Sequence, residues 1–152
     1  MASYFLDSSA LAKHYHPEVG TPRVDAILAE AGATHFISRL CVTEVHSVFA
    51  KKVREGVLPA NSLAGLLQRF LADVAQGKYL VVAISALQFN DADRLLSVYG
   101  PSANLRTLDA LQLAAAAAVQ AVQPLDHFVT PDKRLQFVAA AEGHSVIDPE
   151  QP

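Results

Sequence analysis

The sequence predicts one α/β domain, spanning residues 1–152, around a mainly parallel sheet of about five short strands. Short apolar runs alternate along the chain with longer amphipathic segments, which is the pattern of βαβ units. A length of 152 residues suits one domain with a substantial buried core. Hydrophobic residues make up 51% of the chain and charged residues only 18%, so disorder is not expected.

Five short apolar runs are the predicted strands. The third run, Leu-Val-Val-Ala-Ile, is apolar throughout, which is typical of a strand buried on both faces. In chain order the predicted strands cover residues 4–6, 35–38, 80–84, 127–130 and 145–147.

Caps, stops and periodicity predict the helices between these strands. Residues 59–74 carry apolar side chains at 63, 66, 67, 70, 71 and 74, an i, i+3, i+4 stripe typical of a helix. Thr21 with Pro22, Ser85 and Thr107 are predicted caps that each begin a helix, and residues 100–102 are a predicted loop. In chain order the predicted helices cover residues 21–32, about 40–55, 59–74, 85–99, the alanine-rich stretch that begins at 107, and 132–142.

Charge, hydropathy and cysteine content exclude several classes. The net charge is −3, from 12 basic and 15 acidic residues, so the chain lacks the basic surface that drives non-specific duplex binding. No run reaches the ~18 apolar residues of a membrane span, and no basic region precedes the apolar N-terminal residues, so neither a span nor a signal peptide is expected. The single Cys41 is expected to be a buried small hydrophobe, which fits a reducing cytoplasm.

Four carboxylates stand at the ends of predicted strands or in the opening turns of predicted helices. They are Asp7, Glu44, Asp109 and Asp132. In a parallel α/β sheet these positions share one edge, so we expect the four acids to converge on one pocket. Burying them costs several kcal/mol unless a partner compensates their charge, and no matching set of Lys and Arg lies nearby in sequence. A cation held by oxygen ligands is therefore expected.

Hard divalent cations are the ions that such a pocket suits. Mg²⁺ and Mn²⁺ prefer carboxylate and water oxygens, and they activate water for phosphodiester hydrolysis. Histidine ligands are not expected, because His14 and His16 are two residues apart and lie on different faces of a helix. His46 is likewise two residues from Glu44, so these two side chains are also on different faces of a helix.

The residues around the acids resemble those of a known family. Asp7-Ser8-Ser9-Ala10-Leu11 after an apolar strand resembles the opening motif of the PIN-domain nucleases. Thr-Glu-Val at 43–45, Thr-Leu-Asp-Ala at 107–110 and Val-Thr-Pro-Asp-Lys-Arg-Leu at 129–135 also match in order and spacing. Across residues 3–148, the size, element order and acid spacing resemble the toxin component of VapBC toxin–antitoxin modules. Pro131 is a mild departure that a helix start tolerates.

The resemblance implies a three-layer α/β/α domain and a toxic endoribonuclease that uses one or two Mg²⁺ or Mn²⁺ ions. Asp7, Glu44, Asp109 and Asp132 would be its catalytic and metal-binding acids, oriented by hydrogen bonds from Ser9 and Thr130. It also implies an RNA substrate, a homodimer and a cognate antitoxin whose tail reaches the acidic pocket. The candidate contacts to RNA phosphates, for which ordinary solvated charge is an equal alternative, are Lys13, Arg39, Arg106, Lys133 and Arg134.

Other interpretations remain at this stage. Asp7 could simply cap the next helix, Glu44 could be a solvated helix residue, and Asp109 and Asp132 could each serve a helix dipole alone. A haloacid-dehalogenase-type phosphatase would need a second Asp where Ser9 stands, and a response-regulator receiver would need an acid after Ile84. A degenerate PIN scaffold that only binds protein or RNA is the main alternative. The apolar stripes of helices 40–55 and 59–74 are expected either to leave a groove for an antitoxin helix or to be fully buried.

Overall fold

Five strands form one all-parallel sheet at the centre of the protein, as predicted. The computed structural model describes residues 1–151. Within them the strands are β1 (Ser3–Leu6), β2 (Thr34–Ser38), β3 (Leu80–Val82), β4 (His127–Val129) and β5 (Val146–Ile147). Seven helices flank the sheet across the same residues. They are α1 (Ser8–Tyr15), α2 (Thr21–Leu28), α3 (Arg39–Arg54), α4 (Leu63–Ala75), α5 (Ala86–Ala103), α6 (Thr107–Gln120) and α7 (Lys133–Ala141).

The strand order β3-β2-β1-β4-β5 places β1 in the middle of the sheet. The chain adds β2 and β3 on one side of β1, and then β4 and β5 on the other. The connections therefore diverge between β1 and β4. In open parallel sheets a crevice forms at such a point, outside the carboxyl ends of the two strands, and ligands bind there.

Two apolar clusters cover the two faces of the sheet. One joins Tyr4, Leu6 and Ile37 to helices α1 to α4. The other joins Phe5 and its neighbours to helices α5, α6 and α7. In this second cluster the rings of Phe5 and Phe128 stack with centroids 5.6 Å apart, and neither side chain is exposed. The alternation of Tyr4, Phe5 and Leu6 between the faces follows from the two-residue period of a strand.

The third strand differs from its prediction. Residues 80–84 were expected to be a strand buried on both faces, but β3 spans only Leu80–Val82 and forms an edge of the sheet. Leu80 is 52% exposed and Val81 is 40% exposed. A uniformly apolar run of this length fits a central or an edge strand equally well, because strand order depends on contacts that are distant in sequence.

Helix α5 also runs further than predicted. The predicted loop at 100–102 is helical, and α5 continues through Pro101 to Ala103, where Asn104 adopts a left-handed φ of 51°. A proline in the last turn removes only one backbone hydrogen bond, near the helix end. Helix α5 also packs along α6 in the second apolar cluster, with Ala103 among the residues that contact it.

Several helix ends are shifted. Thr21 and Thr107 are the first helical residues and not the caps, which are Gly20 and Arg106. Gly20 has a φ of 92°, and a Cβ there would lie 3.0 Å from the carbonyl oxygen of Pro149, so glycine is required by both conformation and space. Helix α2 ends at Leu28, before Gly32, and a 3₁₀ turn at Ala60–Ser62 precedes α4. Within the described residues, no helix combines the length and apolarity that crossing a membrane requires.

Phe128→Ala should lower the free energy of unfolding by about 3–5 kcal/mol, because it removes a fully buried ring and leaves a cavity under α5, α6 and α7. Urea unfolding monitored by circular dichroism measures the change. Phe89→Ala is the matched control, since Phe89 is 53% exposed and its loss should change stability by less than about 0.5 kcal/mol. Equal effects of the two substitutions would contradict the described core.

Candidate functional site

Asp7 lies at the carboxyl end of β1, where the connections diverge. Its backbone N–H donates to the carbonyl of Val129 on β4 at 3.1 Å. Its side chain is the N-cap of α1, with Oδ1 accepting from the backbone N–H of Ala10 at 2.7 Å, while Oδ2 accepts from the Thr130 hydroxyl at 2.6 Å. Asp7 is only 4% exposed. The acid is therefore buried and is held by neutral donors.

Burial is the main reason why the pKa of Asp7 rises to about 7. The hydrogen bonds from Thr130 and Ala10 lower this pKa, but the charges of Glu44 and Asp109 raise it further. At neutral pH a large fraction of Asp7 therefore carries a proton in the protein without a bound cation. A nearby cation would restore the ionised form.

Glu44 is held in place from α3 and α6 together. Its Oε1 accepts a hydrogen bond from Nε2 of Gln112 at 2.6 Å, and its Oε2 accepts one from the Ser8 hydroxyl at 3.3 Å. The Gln112 carbonyl oxygen in turn accepts from the hydroxyl of Ser38 at 2.7 Å, and Ser38 is the N-cap of α3. Burial, together with the charge of Asp109, raises the pKa of Glu44 above its ordinary value despite these two hydrogen bonds.

Asp109 occupies the first turn of α6, where a carboxylate interacts favourably with the helix dipole. Burial raises its pKa, and the charge of Asp132 raises it further. The guanidinium groups of Arg134 and Arg106 act in the opposite direction without cancelling the rise. Asp109 is therefore the third acid of this edge whose negative charge is not fully compensated.

Asp132 differs from the other three acids because a cation and a helix start stabilise it. It is the N-cap of α7, and its Oδ1 accepts from the backbone N–H groups of Arg134 and Leu135 at 2.9 and 3.3 Å. Its Oδ2 lies 3.3 Å from Nη2 of Arg134. Burial alone would raise the pKa of Asp132, but these bonds outweigh it and hold the pKa below its ordinary value.

The four acids lie on one edge of the sheet and influence one another's ionisation. Asp7 responds to Glu44 and Asp109, Glu44 responds to Asp109, and Asp109 responds to Asp132. Yet across residues 1–151 no three Asp, Glu, His or Cys side chains converge closely enough to hold a metal ion as they stand. The acids are thus within electrostatic reach of each other but do not form a closed coordination cage.

Polar side chains between the acids hold Asp7 and Glu44 in place by hydrogen bonds. Thr130 contacts Asp7, but Ser9 is exposed and it is the adjacent Ser8 that contacts an acid, Glu44. Gln112, only 2% exposed, was not among the predicted site residues. Its signal in the sequence is an amide between two leucines in an alanine-rich helix, three residues after Asp109.

The flanking cations fall into two groups. Arg39 and Arg106 are exposed at the starts of α3 and α6, Lys133 is exposed and paired with Asp148, and Arg134 is half-buried beside Asp132. Lys13 is different. It is 4% exposed, and its ammonium donates to Glu18 at 3.2 Å, to the carbonyl of Val19 at 2.9 Å and to Glu150 at 2.7 Å. This geometry gives Lys13 an internal structural role and does not favour contact with RNA.

The histidines and the cysteine lie in other environments. His14 contacts Asp25 and Lys78, and His46 contacts the carbonyl of Val42. Cys41 is fully buried, and burial raises its pKa well above the ordinary thiol value, as do the charges of Asp7 and Glu44. A neutral buried thiol behaves as a small hydrophobe.

Comparisons with known proteins point to one family. A family model described as the PIN domain matches residues 4–141. Over 148 residues the chain is 29% identical to Ribonuclease VapC35 of Mycobacterium tuberculosis, and the alignment covers 97% of each chain.

Solved structures show the same fold. The crystal structure of Mycobacterium tuberculosis VapC20, a toxin that cleaves the sarcin-ricin loop, matches with a TM-score of 0.68 and 13% identity over 95% of this chain and 97% of that one. A toxin–antitoxin complex from Klebsiella pneumoniae matches with a TM-score of 0.64 and 20% identity, covering 98% of this chain and 99% of that one.

The raised pKa of Asp7 predicts how stability depends on pH in the presence of a chelator. Between the unfolded value of 3.8 and about 7 the folded protein binds more protons than the unfolded chain, so stability should fall as pH rises through this range. The loss attributable to Asp7 is on the order of 4 kcal/mol. Asp7→Asn should flatten the profile, because asparagine still caps a helix but does not ionise.

Chemical unfolding at a series of pH values measures this profile. Asp93→Asn is the matched control, since Asp93 is exposed on α5 and is not among the charges that shift the pKa of any of the four acids, so its replacement should leave the slope unchanged. A profile as steep in Asp7→Asn as in the parent would mean that Asp7 is not the buried ionisable group described here.

Proposed function

The chain belongs to the PIN domain family, and on that premise we propose that it is a metal-dependent endoribonuclease, the toxin of a toxin–antitoxin pair. We assign Asp7, Glu44, Asp109 and Asp132 as its acidic site. The observation that carries the proposal is the position of Asp7. Asp7 is buried at the point where the strand connections diverge, and the charges of two further acids act on it. Keeping such a carboxylate ionised costs free energy unless a cation compensates its charge.

The chemistry of the donor set fits a hard divalent cation. All four groups offer oxygen ligands, and three of them have a raised pKa, so negative charge in this pocket is not balanced by the protein itself. Asp7, Glu44 and Asp109 would hold one or two Mg²⁺ or Mn²⁺ ions once their side chains lie closer together than they now stand. When bound, such an ion supplies an activated water and neutralises charge on the leaving oxygen of a phosphodiester.

The chain's own polar groups would orient the acids for that role. Thr130 holds one oxygen of Asp7, and Gln112 and Ser8 hold Glu44, which leaves further lone pairs of both carboxylates for other ligands. Arg106 and Arg134 stand at the rim near Asp109 and would bind the phosphates that flank the scissile bond. Arg39 is placed at the start of α3 for a similar contact.

An antitoxin partner is part of the proposal. Of the apolar stripe on α4 only Phe70 is fully buried, whereas Leu63, Leu66, Leu67 and Val74 are partly exposed and Leu71 is 41% exposed. The stripe on α3 is mostly buried, with Val45 and Phe49 inaccessible to solvent. Partial exposure of α4 favours a groove for an amphipathic helix over two fully buried stripes. A structural neighbour is itself a toxin–antitoxin complex.

Two further properties complete the proposal. We expect the active form to be a homodimer, as the family resemblance implies. We also expect it to act in the cytoplasm, where a single free buried Cys41 is stable.

The test of the activity is RNA cleavage by the purified chain. In Mg²⁺ or Mn²⁺ the parent should cut single-stranded RNA, a chelator should stop cleavage, and Asp7→Asn should reduce the rate to background. Asp93→Asn should cleave like the parent, because that acid lies away from the proposed site. Expression of the parent in bacteria without an antitoxin should arrest growth, and Asp7→Asn should relieve the arrest.

Two outcomes would contradict the proposal in different ways. Cleavage by Asp7→Asn at the parent's rate would show that the acidic site is wrongly assigned. A well-folded parent that cleaves RNA in neither metal would instead favour the degenerate scaffold that only binds protein or RNA.

Metal binding should also appear as stability. An ion that binds only the folded state stabilises it by about 2.7 kcal/mol at a concentration a hundred times its dissociation constant. Asp109→Asn should raise the melting temperature in chelator, because it removes a buried carboxyl group whose pKa burial has raised. It should also reduce the increase in melting temperature that Mn²⁺ produces. Thermal melts of parent, Asp109→Asn and the control Asp93→Asn, with chelator and with Mn²⁺, measure both effects. Lower stability in chelator together with an unchanged Mn²⁺ shift would make Asp109 a structural helix-start residue.

A further inference from the structure

A pocket adjoins the acidic edge on the side of α7. It has a volume of about 290 Å³ and is lined by Ser102, Ala103, Lys133, Arg134 and Phe137. The last turn of α5 supplies the two small residues, and the first turns of α7 supply the other three. The salt bridge between Arg134 and Asp132 joins this pocket directly to the acidic edge.

Phe137 is the unusual member of this pocket. It is 62% exposed, although the neighbouring residues Leu135, Val138 and Ala139 on the same helix are buried in the core. A large aromatic side chain left in solvent beside a pocket contributes little to the packing of this chain. In proteins that bind single-stranded nucleic acids, aromatic side chains at the surface serve as stacking platforms for nucleobases.

Two cations flank Phe137, each in a salt bridge, Lys133 with Asp148 and Arg134 with Asp132, and both could also contact a phosphate. Lys133 and Arg134 precede it by four and three residues, so both cations lie on the same face of α7 as the ring. From Asp132 to Phe137 the helix rises by about 7.5 Å. A single strand with its phosphate at the acidic edge therefore reaches the ring and both cations within a short distance.

From this arrangement we infer that the pocket is a subsite for an unpaired nucleobase next to the cleaved bond, with Phe137 stacking on the base and Lys133 and Arg134 contacting its phosphate. The inference rests on the proposed function, and it adds a requirement for single-stranded RNA at this position. The ring recognises the face of a base and not its hydrogen-bonding edge, so it gives preference for unpaired RNA without selecting one base.

Cleavage kinetics on single-stranded RNA in Mg²⁺ provide the main test. Phe137→Ala should raise KM by roughly 5- to 150-fold, the loss expected for one base–aromatic stack, with a smaller effect on kcat. Phe137→Leu keeps an apolar side chain but not the ring and should behave like Phe137→Ala. Phe137→Trp should retain the parent's KM. Because Phe137 is exposed, all three variants should melt at the parent's temperature.

Phe89→Ala is the matched control. Phe89 is also an exposed phenylalanine on a helix, 53% accessible, but it lies fourteen residues before Ala103 on α5, about 21 Å along the helix axis from the pocket. Its substitution should leave both KM and kcat unchanged.

A direct readout is possible because the chain contains no tryptophan. Phe137→Trp places a single indole in the pocket, and rapid mixing with single-stranded RNA in Mg²⁺ should quench its fluorescence as a base stacks on it. Phe89→Trp should show no saturable quenching. RNA held in a stable duplex should quench Phe137→Trp much less than a single strand does.

The outcomes separate this inference from the proposed function. If the parent cleaves RNA but Phe137→Ala has the parent's KM, or Phe137→Trp shows no quenching, the subsite is overturned while the nuclease stands. If Phe137→Ala leaves KM unchanged but dissociates the dimer or weakens antitoxin binding, the patch is a protein interface and the subsite is again overturned. If the parent neither binds nor cleaves RNA, both proposals fall together.

Discussion

The hydrogen bond from Thr130 to Asp7 is the interaction on which the acidic edge depends. It joins the ends of two adjacent parallel strands, β1 and β4, across 123 residues of sequence, and both partners are buried. The same threonine oxygen accepts from the backbone N–H of Asp132, and the other oxygen of Asp7 accepts from Ala10. One continuous set of bonds therefore fixes the starts of α1 and α7 relative to each other. Losing it would leave a buried acid without its partner, which costs far more than the bond itself contributes.

A second chain of hydrogen bonds fixes the position of Glu44 on the other side of the acidic edge. The Ser38 hydroxyl accepts from the backbone of Cys41 and donates to the carbonyl oxygen of Gln112, so the amide of Gln112 must turn its NH₂ group towards Glu44. Both sets of hydrogen bonds use neutral donors. They fix the positions of the carboxylates and lower the pKa values of Asp7 and Glu44, but burial raises these pKa values by more. A cationic partner in place of Gln112 would have removed the unbalanced charge that the proposed metal needs.

Much of the fold could be predicted because local signals and a simple topological rule agree. Alternating strands and helices predict a parallel sheet, and a parallel sheet brings strand ends and helix starts to one edge, so the acids could be grouped without knowing a single contact. The edge position of β3 could not be predicted, since an apolar run does not reveal which strands lie beside it. Gln112 was missed for a related reason. Its partner Ser38 is 74 residues away, and only the folded chain shows that this amide faces a carboxylate and not solvent. Ser8 and not Ser9 contacts Glu44, and the sequence could not show this, because both residues are serines at a helix start and only the fold decides which hydroxyl turns inward.

The electrostatic difference among the four acids suggests a division of roles. Asp7, Glu44 and Asp109 have raised pKa values and lie within electrostatic reach of each other, whereas Asp132 has a lowered pKa, caps α7 and pairs with Arg134. An acid already satisfied by a guanidinium and two backbone donors offers less to a cation than one held only by neutral groups. Asp132 is therefore better suited to positioning Arg134 than to binding the proposed metal directly. Because Arg134 also lines the pocket beside Phe137, this pair connects the site of proposed cleavage to the proposed base subsite. The start of α7 would then supply both Asp132 to the acidic edge and Arg134 to bind the RNA strand.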